Sequence, residues 1–117
     1  MPQKFRLIYD LLAHAASINP VDSTFLKRRP NGEVSSFSYS QMKEITDQLI
    51  AGWVKFSLKS GERVLLLCDP SNYWFMVDTS ILSVGAISVP RATDVTDDDV
   101  LYIANHAECS LAIVQNQ

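Results

Sequence analysis

The residues best placed to do chemistry come directly after a short apolar run near the middle of the chain. Residues 63–68 are almost all apolar, and Asp69, Ser71 and Asn72 follow them at once. Open α/β sheets place their ligands at the carboxyl ends of parallel strands, so these polar side chains are candidates for a binding site. The same residue types are also preferred helix caps, and capping is the interpretation that we favour here.

Histidines and aspartates elsewhere offer other candidate sites, but their surroundings favour structural roles. His14 and His106 lie on separate predicted helices, and no Gly-x-Ser-x-Gly motif supplies a nucleophile for either of them. A cluster of aspartates could bind a cation, yet it lacks the glycine turn and the final glutamate of a calcium loop. Acidic residues are favourable in the first turn of a helix, which explains the cluster without a metal. Its members are Asp94, Asp97, Asp98 and Asp99.

Cysteine and glycine spacing argues against several familiar sites. Cys68 and Cys109 form no Cys-x-x-Cys pair, and each adjoins an apolar run, which indicates free buried thiols in a reducing compartment, the cytoplasm. Glycines occur only at positions 32, 52, 61 and 85. Because phosphate-binding loops need clustered glycines, this spacing excludes both the P-loop and the dinucleotide-binding fingerprint. We therefore assign no catalytic, cofactor-binding or metal-binding residue from the sequence.

Length and composition indicate one globular domain. The chain has 117 residues, of which 47% are apolar and 20% charged, so intrinsic disorder and a disulfide scaffold are excluded. A net charge of −3 argues against a general binder of nucleic acid, and residues 27–29 are too short a basic run to change that. The apolar stretch of residues 70–90 is not predicted to span a membrane, because Asp78 lies near its middle.

The first half of the chain contains two helical patterns separated by a turn signal. Residues 3–17 have apolar side chains at helical spacing. Asn31-Gly32 lies between two short strand-like segments and predicts a β-hairpin. Ser38 and Gln41 then form a capping box that opens a second amphipathic helix, whose continuous apolar stripe runs from Met42 to Phe56.

The second half alternates apolar runs with helical patterns. Residues 63–68, 87–89 and 111–114 are predicted strands, and the two helices between them begin near Asp69 and at Thr96. Such strand–helix–strand units form right-handed crossovers between parallel strands. We therefore predict an α/β fold, a parallel βαβαβ unit with an N-terminal helix and a β-hairpin. Either the hairpin and first helix cover the face of the last strand, or the chain is the start of something larger.

The two helices of this unit differ in their apolar pattern. Residues 73–84 are apolar almost all round, which indicates a buried helix, and Gly85 ends it. The second helix has an inner face made of Val100, Ile103, Ala104 and Ala107.

From Phe37 onward, the order of these signals resembles the AMP-forming acyl-CoA synthetases of the adenylate-forming superfamily, and most of all the long-chain fatty acid–CoA ligases. Each matching segment is weak singly, and their order and spacing make the resemblance more specific. The segments are Phe37-Ser38-Tyr39, Lys59-Ser60-Gly61-Glu62-Arg63-Val64, Asn72-x-Trp74, Gly85-Ala86-Ile87-Ser88-Val89-Pro90, Arg91-Ala92-Thr93-Asp94 and His106-Ala107-Glu108-Cys109. The chain departs from the family at Ser57, Ser60 and Ala92, where Gly, Pro and Gly respectively are usual.

The resemblance implies that residues 1–117 are the N-terminal portion of an AMP-binding domain, truncated before the ATP-binding loop. Members of this family use ATP to convert a carboxylate into an acyl-adenylate and then transfer the acyl group to coenzyme A. The chain would be a scaffold segment of a fatty acid–CoA ligase and inactive by itself, with ATP, Mg and coenzyme A bound by the parent enzyme. The implied partner is the remainder of that ligase, and the uncovered sheet predicts self-association of the chain.

A second interpretation stays open beside this one. The chain could be a stand-alone α/β interaction module that binds a partner protein through its exposed sheet. A small nucleotide-binding domain of another type is a third possibility, and the sparse glycines disfavour it. The expected location is the cytoplasm, and the sequence leaves open both the acyl-chain length and whether the parent enzyme is peripheral to a membrane.

Overall fold

The structure, a computed structural model, describes residues 5–21, 23–28, 31–32 and 34–115. Within these ranges the chain folds into helices, an antiparallel hairpin and a parallel sheet. In chain order the elements are α1 (Ile8–Ile18), β1 (Ser23–Arg28), β2 (Val34–Ser38), α2 (Tyr39–Phe56), β3 (Arg63–Leu67), α3 (Asn72–Ser83), β4 (Ile87–Arg91), α4 (Asp97–His106) and β5 (Leu111–Val114).

The strands form two separate sheets. β1 and β2 pair antiparallel as the predicted hairpin, and β4, β3 and β5 form a parallel sheet in that order. β3 is the central strand, where Leu65 lies between Val89 of β4 and Ala112 of β5. The first crossover runs from β3 to its neighbour β4, and the second runs back from β4 across β3 to β5. Because the two crossovers run in opposite directions, the right-handed rule places α3 and α4 on opposite faces of the sheet.

The core lies where α3 meets the sheet and where it meets the first two helices. One buried cluster joins β3 to α3, and Trp53 and Leu111 pack against it. Its buried members are Leu58, Val64, Ile81 and Ala86. A second buried cluster joins α1, α2 and α3 through Leu12, Met42 and Met76. The apolar run of β3 is buried from Val64 to Leu66, as expected for a strand covered on both faces.

The predicted α/β architecture is confirmed, with differences at the ends of elements. α1 begins at Ile8 rather than at residue 3, and residues 3 and 4 lie outside the described residues. Pro30 and Glu33 of the predicted hairpin turn also lie outside them. β4 continues past Val89 to Arg91. The capping box of α2 is present, since Ser38 Oγ accepts from the Gln41 N–H at 3.1 Å and Gln41 Oε1 accepts from the Ser38 N–H at 2.9 Å.

Two expectations about burial are wrong, and both concern aromatic side chains near helix ends. Phe56, placed by periodicity on the buried stripe of α2, is 64% exposed because it lies in the last turn, beyond the contact with α3. α3, apolar almost all round, was expected to be a buried helix, but Tyr73 in its first turn is 63% exposed and meets the ring of Phe37 edge-on. Helical spacing assigns a direction to a side chain, but it does not show how far the neighbouring element extends.

α4 is the least buried helix of the described chain. Its predicted inner face is indeed the more buried one, because Val100, Ile103 and Ala104 are half-buried while Leu101 and Tyr102 are exposed. The helix has no fully buried residue. α4 therefore buries little of its surface against the sheet. No helix of the described residues is long and apolar enough to span a lipid bilayer.

α2 ends at Ser57 in a left-handed conformation that usually belongs to glycine. Ser57 has φ 69° and ψ 35°, and its N–H caps the helix by donating to Val54 O at 3.1 Å. This is the position where the resemblance led us to expect glycine. Left-handed backbone costs an L-residue about 1–2 kcal/mol, so the serine stores strain that a glycine would not.

Replacing Ser57 with glycine is expected to raise the free energy of unfolding by up to about 1 kcal/mol. The gain is smaller than the strain because glycine also increases the entropy of the unfolded chain. Urea denaturation followed by circular dichroism measures it. The control is Ser57→Ala, which keeps the strained φ and should give no gain. Equal effects of the two substitutions would contradict the explanation.

Candidate functional site

Hydrogen bonds join the loops that follow β3 and β4, at the carboxyl edge of the parallel sheet. The Asp69 carboxylate, in the loop after β3, accepts from the Thr93 N–H at 2.9 Å and from Thr93 Oγ1 at 2.8 Å. Thr93 lies in the loop after β4. These two loops lead to helices on opposite faces, and ligands of open α/β sheets bind where the connections diverge in this way. Asp69 therefore bridges the crevice in which a ligand would be expected.

The segment after β5 is joined to the same place by hydrogen bonds of Gln115, one to its side chain and one from its backbone. The Asp69 N–H donates to Gln115 Oε1 at 2.9 Å, and the Gln115 N–H donates to Leu67 O at 2.9 Å. The Cys68 N–H donates to Arg91 O at 3.0 Å, which extends the pairing of β3 with β4. Asp69 is thus the residue that connects the segments following all three parallel strands.

A cleft of about 480 Å³ opens beside this junction. Its apolar wall is formed by β3, β5 and α3, and its rim is polar. The wall includes Leu66, Val77 and Ile113, and the rim includes Asp69, Ser71 and Gln115. We take this carboxyl-edge cleft as the candidate functional site, because it combines a concave apolar surface with a few converging polar groups.

The three residues that the sequence singled out have different roles at the cleft. Ser71 caps α3, since its Oγ accepts from the Trp74 N–H at 3.1 Å, so the capping interpretation is confirmed for it. Asn72 is the first residue of α3 and is only 6% exposed. Asp69 does not cap the helix but binds Thr93. Its link to a loop 24 residues away is not visible in the local sequence.

The polar groups at the rim are engaged in holding the structure. The Asp69 carboxylate is occupied by Thr93, and the Cys68 thiol donates to Asp69 O at 3.4 Å. An occupied carboxylate is a poor general base, because its lone pairs are already directed at donors. These hydrogen bonds hold the loops after the strands in fixed positions relative to one another. They therefore set the shape of the cleft and do not supply a reacting group.

The other candidate residues lie apart from this cleft. His14 of α1 contacts the ring of Phe5 at 5.4 Å, and His106 of α4 stacks on Tyr102 at 5.5 Å. The two cysteines are half-buried, and burial raises the pKa of the Cys109 thiol. The described residues contain no group of three or more His, Cys, Asp or Glu side chains able to hold a metal ion.

The glycines of the described residues do not form a phosphate-binding loop. Gly61 and Gly85 have positive φ in turns after α2 and α3, and Gly32 has it beside the hairpin. These glycines lie in separate turns, so they do not place consecutive N–H groups around one phosphate.

The aspartate cluster acts at the start of α4. Thr96 Oγ1 accepts from the Asp99 N–H at 3.1 Å, and the Asp99 carboxylate accepts from the Thr96 N–H at 3.2 Å. The hydrogen bond with the Thr96 side chain, followed by the one from its N–H, lowers the pKa of Asp99. A carboxylate with a lowered pKa in the folded state stabilises the fold above its unfolded pKa, and this contribution is lost as pH falls through the folded pKa.

We expect acid to weaken the capping of α4. The free energy of unfolding should fall as pH is lowered from about 5 towards 3, below the ordinary aspartate pKa of about 4. In Asp99→Asn, urea midpoints should be lower at pH 7 and should fall less with acid. Asp98→Asn removes the same charge one residue away without touching the Thr96 hydrogen bonds. Both variants showing the same pH dependence would count against this role of Asp99.

Sequence reasoning missed a polar junction between α1 and α2. The Tyr9 hydroxyl donates to Asp47 Oδ1 at 2.6 Å, and Lys43 Nζ lies 2.9 Å from Asp47 Oδ2. The hydrogen bond with Asp47 raises the pKa of Tyr9. The spacing of Lys43 and Asp47 is the usual one for an ion pair along a helix, so that part could have been found. Tyr9 reaches the pair only because the two helices pack together.

Known proteins share both the sequence pattern and the fold. Residues 12–117 match the sequence model of a family described as AMP-binding enzyme. The probable acyl-activating enzyme 16, chloroplastic, of Arabidopsis thaliana is 28% identical over 82 residues, which are 70% of this chain and 11% of that protein. The long-chain-fatty-acid–[acyl-carrier-protein] ligase AEE15, chloroplastic, of the same plant is 27% identical over 79 residues, or 68% of this chain and 11% of that protein. The chain therefore spans about a tenth of the length of these relatives.

A solved structure shows the same fold. The crystal structure of the fatty acid AMP ligase from Legionella pneumophila superposes with a TM-score of 0.84. The match covers 95% of this chain and 20% of that one, at 18% sequence identity. At this identity the likeness shows the fold alone. The parallel sheet and its helices are thus an arrangement that recurs inside a much longer chain.

Proposed function

The chain belongs to the AMP-binding enzyme family, and on that premise we propose that it is the amino-terminal scaffold of a ligase that activates a long-chain fatty acid. In the proposed reaction, a carboxylate oxygen attacks the α-phosphorus of ATP and pyrophosphate leaves. The thiol of coenzyme A then attacks the acyl carbon of the acyl-adenylate, AMP leaves, and an acyl thioester forms.

The observation that carries this proposal is the family match over residues 12–117. The substrate class is proposed from similar proteins, because one relative is named as a long-chain-fatty-acid ligase and one structural neighbour as a fatty acid AMP ligase. Coenzyme A is proposed as the acceptor, in keeping with the motif resemblance. The plant relative is instead named for an acyl-carrier protein, so the acceptor is a point to test.

Within such a ligase, this chain would contribute structure and not reacting groups. Its carboxyl-edge cleft is held together by Asp69 and Thr93, whose polar atoms bind each other. ATP, Mg²⁺ and coenzyme A would be bound by other parts of the parent enzyme, in the cytoplasm. The remainder of the ligase is the proposed partner, and it would cover apolar side chains that are exposed in this chain, such as Leu101, Tyr102 and Val114.

The test is made on the protein as the cell produces it, captured with an antibody to this segment. We expect an intact mass several times 13.1 kDa, the mass of this chain. We also expect exchange of labelled pyrophosphate into ATP that requires hexadecanoate and is weak with acetate. The 117-residue chain, purified alone and assayed in parallel, should show no exchange. Adding coenzyme A or an acyl-carrier protein then shows which thiol accepts the acyl group.

Two outcomes would overturn the proposal. Pyrophosphate exchange by the isolated chain would mean that the reacting groups lie within these 117 residues. An endogenous protein of 13.1 kDa without exchange activity would instead support the interaction-module interpretation.

A further inference from the structure

The hairpin turn contains the one asparagine of the sequence that a glycine follows, and we propose that Asn31 is a site of spontaneous deamidation. Asn31 and Gly32 lie between β1 and β2, and both are exposed. Asparagine is among the thermolabile residues of proteins, and the residue after it decides how readily it reacts. The chemistry takes place within two adjacent residues, so it does not depend on the proposed ligase activity.

The nucleophile of the reaction is the backbone nitrogen of Gly32. This nitrogen loses its proton to hydroxide and attacks Cγ of Asn31, which forms an N–Cγ bond and closes a five-membered succinimide ring. The Cγ–Nδ2 bond breaks, and Nδ2 takes a proton from water and leaves as ammonia. Water then opens the ring at one of its two carbonyl carbons. Opening at Cγ gives aspartate, and opening at the backbone carbonyl carbon gives isoaspartate, in which the chain continues through the side chain.

The geometry at Gly32 leaves room for this attack. Gly32 has φ +88°, and an added Cβ there would meet no atom within 4 Å beyond those of its chain neighbours. Because glycine has no Cβ, it rotates freely and its nitrogen is not shielded by a side chain. The last pair in the hairpin register is Arg28 with Val34. Asn31 and Gly32 therefore lie in the middle of the loop, and the attack takes place outside the strand pairing.

The modification would change this loop in two ways. The new carboxylate makes the net charge of the chain one unit more negative than −3, close in sequence to the basic run of residues 27–29. Isoaspartate also adds one carbon atom to the backbone of the loop that the Arg28–Val34 pair closes. Because the reaction needs only water, these changes accumulate with the age of each molecule.

The other asparagines of the chain lack this combination of features. Asn19 precedes Pro20, whose nitrogen has no proton to lose. Asn72 is the first residue of α3 and is only 6% exposed. Asn105 lies in α4, where the helical conformation holds the following nitrogen in the backbone ladder. Asn116 lies outside the described residues, and a glutamine follows it.

The experiment follows deamidation by mass spectrometry in protein captured from its source cells and incubated at pH 7 and at pH 8. Asn31 should react at least about tenfold faster than Asn72 or Asn105, because intramolecular attack depends on how easily the two atoms approach. The rate at Asn31 should rise by about tenfold from pH 7 to pH 8, since the nucleophile is the deprotonated nitrogen. The measurement can be made at whatever length the cell produces the protein, so its result is separate from the test of the ligase proposal.

The matched control is Asn31→Gln, introduced into the gene of the source cell. It keeps a side-chain amide before Gly32, but the ring would be six-membered, so position 31 should deamidate at least about tenfold more slowly. Chromatography separates the aspartate and isoaspartate products, and both are expected from Asn31.

Three results would overturn the proposal. An Asn31 that keeps its amide throughout the incubation at pH 8 would show that the turn does not permit the attack. Equal deamidated fractions at Asn31, Asn72 and Asn105 would show that neither the following glycine nor the exposed turn matters. A product that is aspartate alone would indicate direct hydrolysis of the amide instead of a succinimide.

Discussion

Replacing Ile81 with alanine is expected to lower the free energy of unfolding by about 2–5 kcal/mol, the usual cost of such a truncation in a well-packed core. Ile81 is fully buried on α3 and packs in the cluster that contains Val64 of β3 and Ala86 before β4. Its removal leaves a cavity between the helix and the central strand. Since globular domains are stable by about 5–15 kcal/mol, the variant should lose a large part of its stability.

The control for Ile81→Ala is a truncation of the same size on another helix. Leu101 lies on α4 and is 62% exposed, so Leu101→Ala should change the stability by no more than about 0.5 kcal/mol. Urea denaturation at pH 7, monitored by circular dichroism and tryptophan fluorescence, compares the two variants. A loss as large at Leu101 as at Ile81 would show that the core does not lie between α3 and β3.

Gly85→Ala has the second largest expected effect, a loss of about 1–3 kcal/mol, which is the usual range for a strained backbone conformation. Gly85 has φ +81°, and an added Cβ would lie 2.8 Å from Ser60 Oγ. Its carbonyl oxygen also accepts from the Gly61 N–H at 2.9 Å. A substitution therefore strains the backbone and displaces the loop that leads into β3. Thermal unfolding and urea midpoints both measure the loss.

The matched control for Gly85→Ala is Gly52→Ala, and the sign of its effect should be opposite. Gly52 lies inside α2, and an added Cβ would meet no atom within 4 Å. Alanine is a better helix former than glycine, so this variant should be more stable by up to about 1 kcal/mol. If both alanine variants lost stability alike, the cause would be something other than the backbone conformation at Gly85.

The order of elements was predictable because it depends on local signals. The Asn31-Gly32 turn, the Ser38 capping box and the apolar runs of the strands each act within a few residues, and each predicted element is present. Ser57 and Gly85 show the limit of this reasoning. Glycine at position 85 suggested a helix end, but the left-handed conformation of Ser57 was not evident from its residue type. The resemblance to a family, in which glycine is usual there, was the better guide.

The candidate site was predictable only in part. The sequence pointed to the carboxyl end of β3, and the structure does place a cleft there. The sequence did not reveal that Asp69 would bind Thr93, because that contact depends on β4 lying beside β3 in one register. The junction of Tyr9 with Asp47 was missed for the same reason, since its two partners are 38 residues apart.

By itself, the sequence determined the α/β class, the helix caps and the strands, because periodicity and capping are properties of neighbouring residues. Only the tertiary structure decided the strand order, with β3 in the centre of the parallel sheet. It also decided which aromatic side chains stay exposed and which loops Asp69 joins. These features depend on contacts between segments far apart in the chain, whose geometry is set by packing of the whole domain and not by any short stretch of residues.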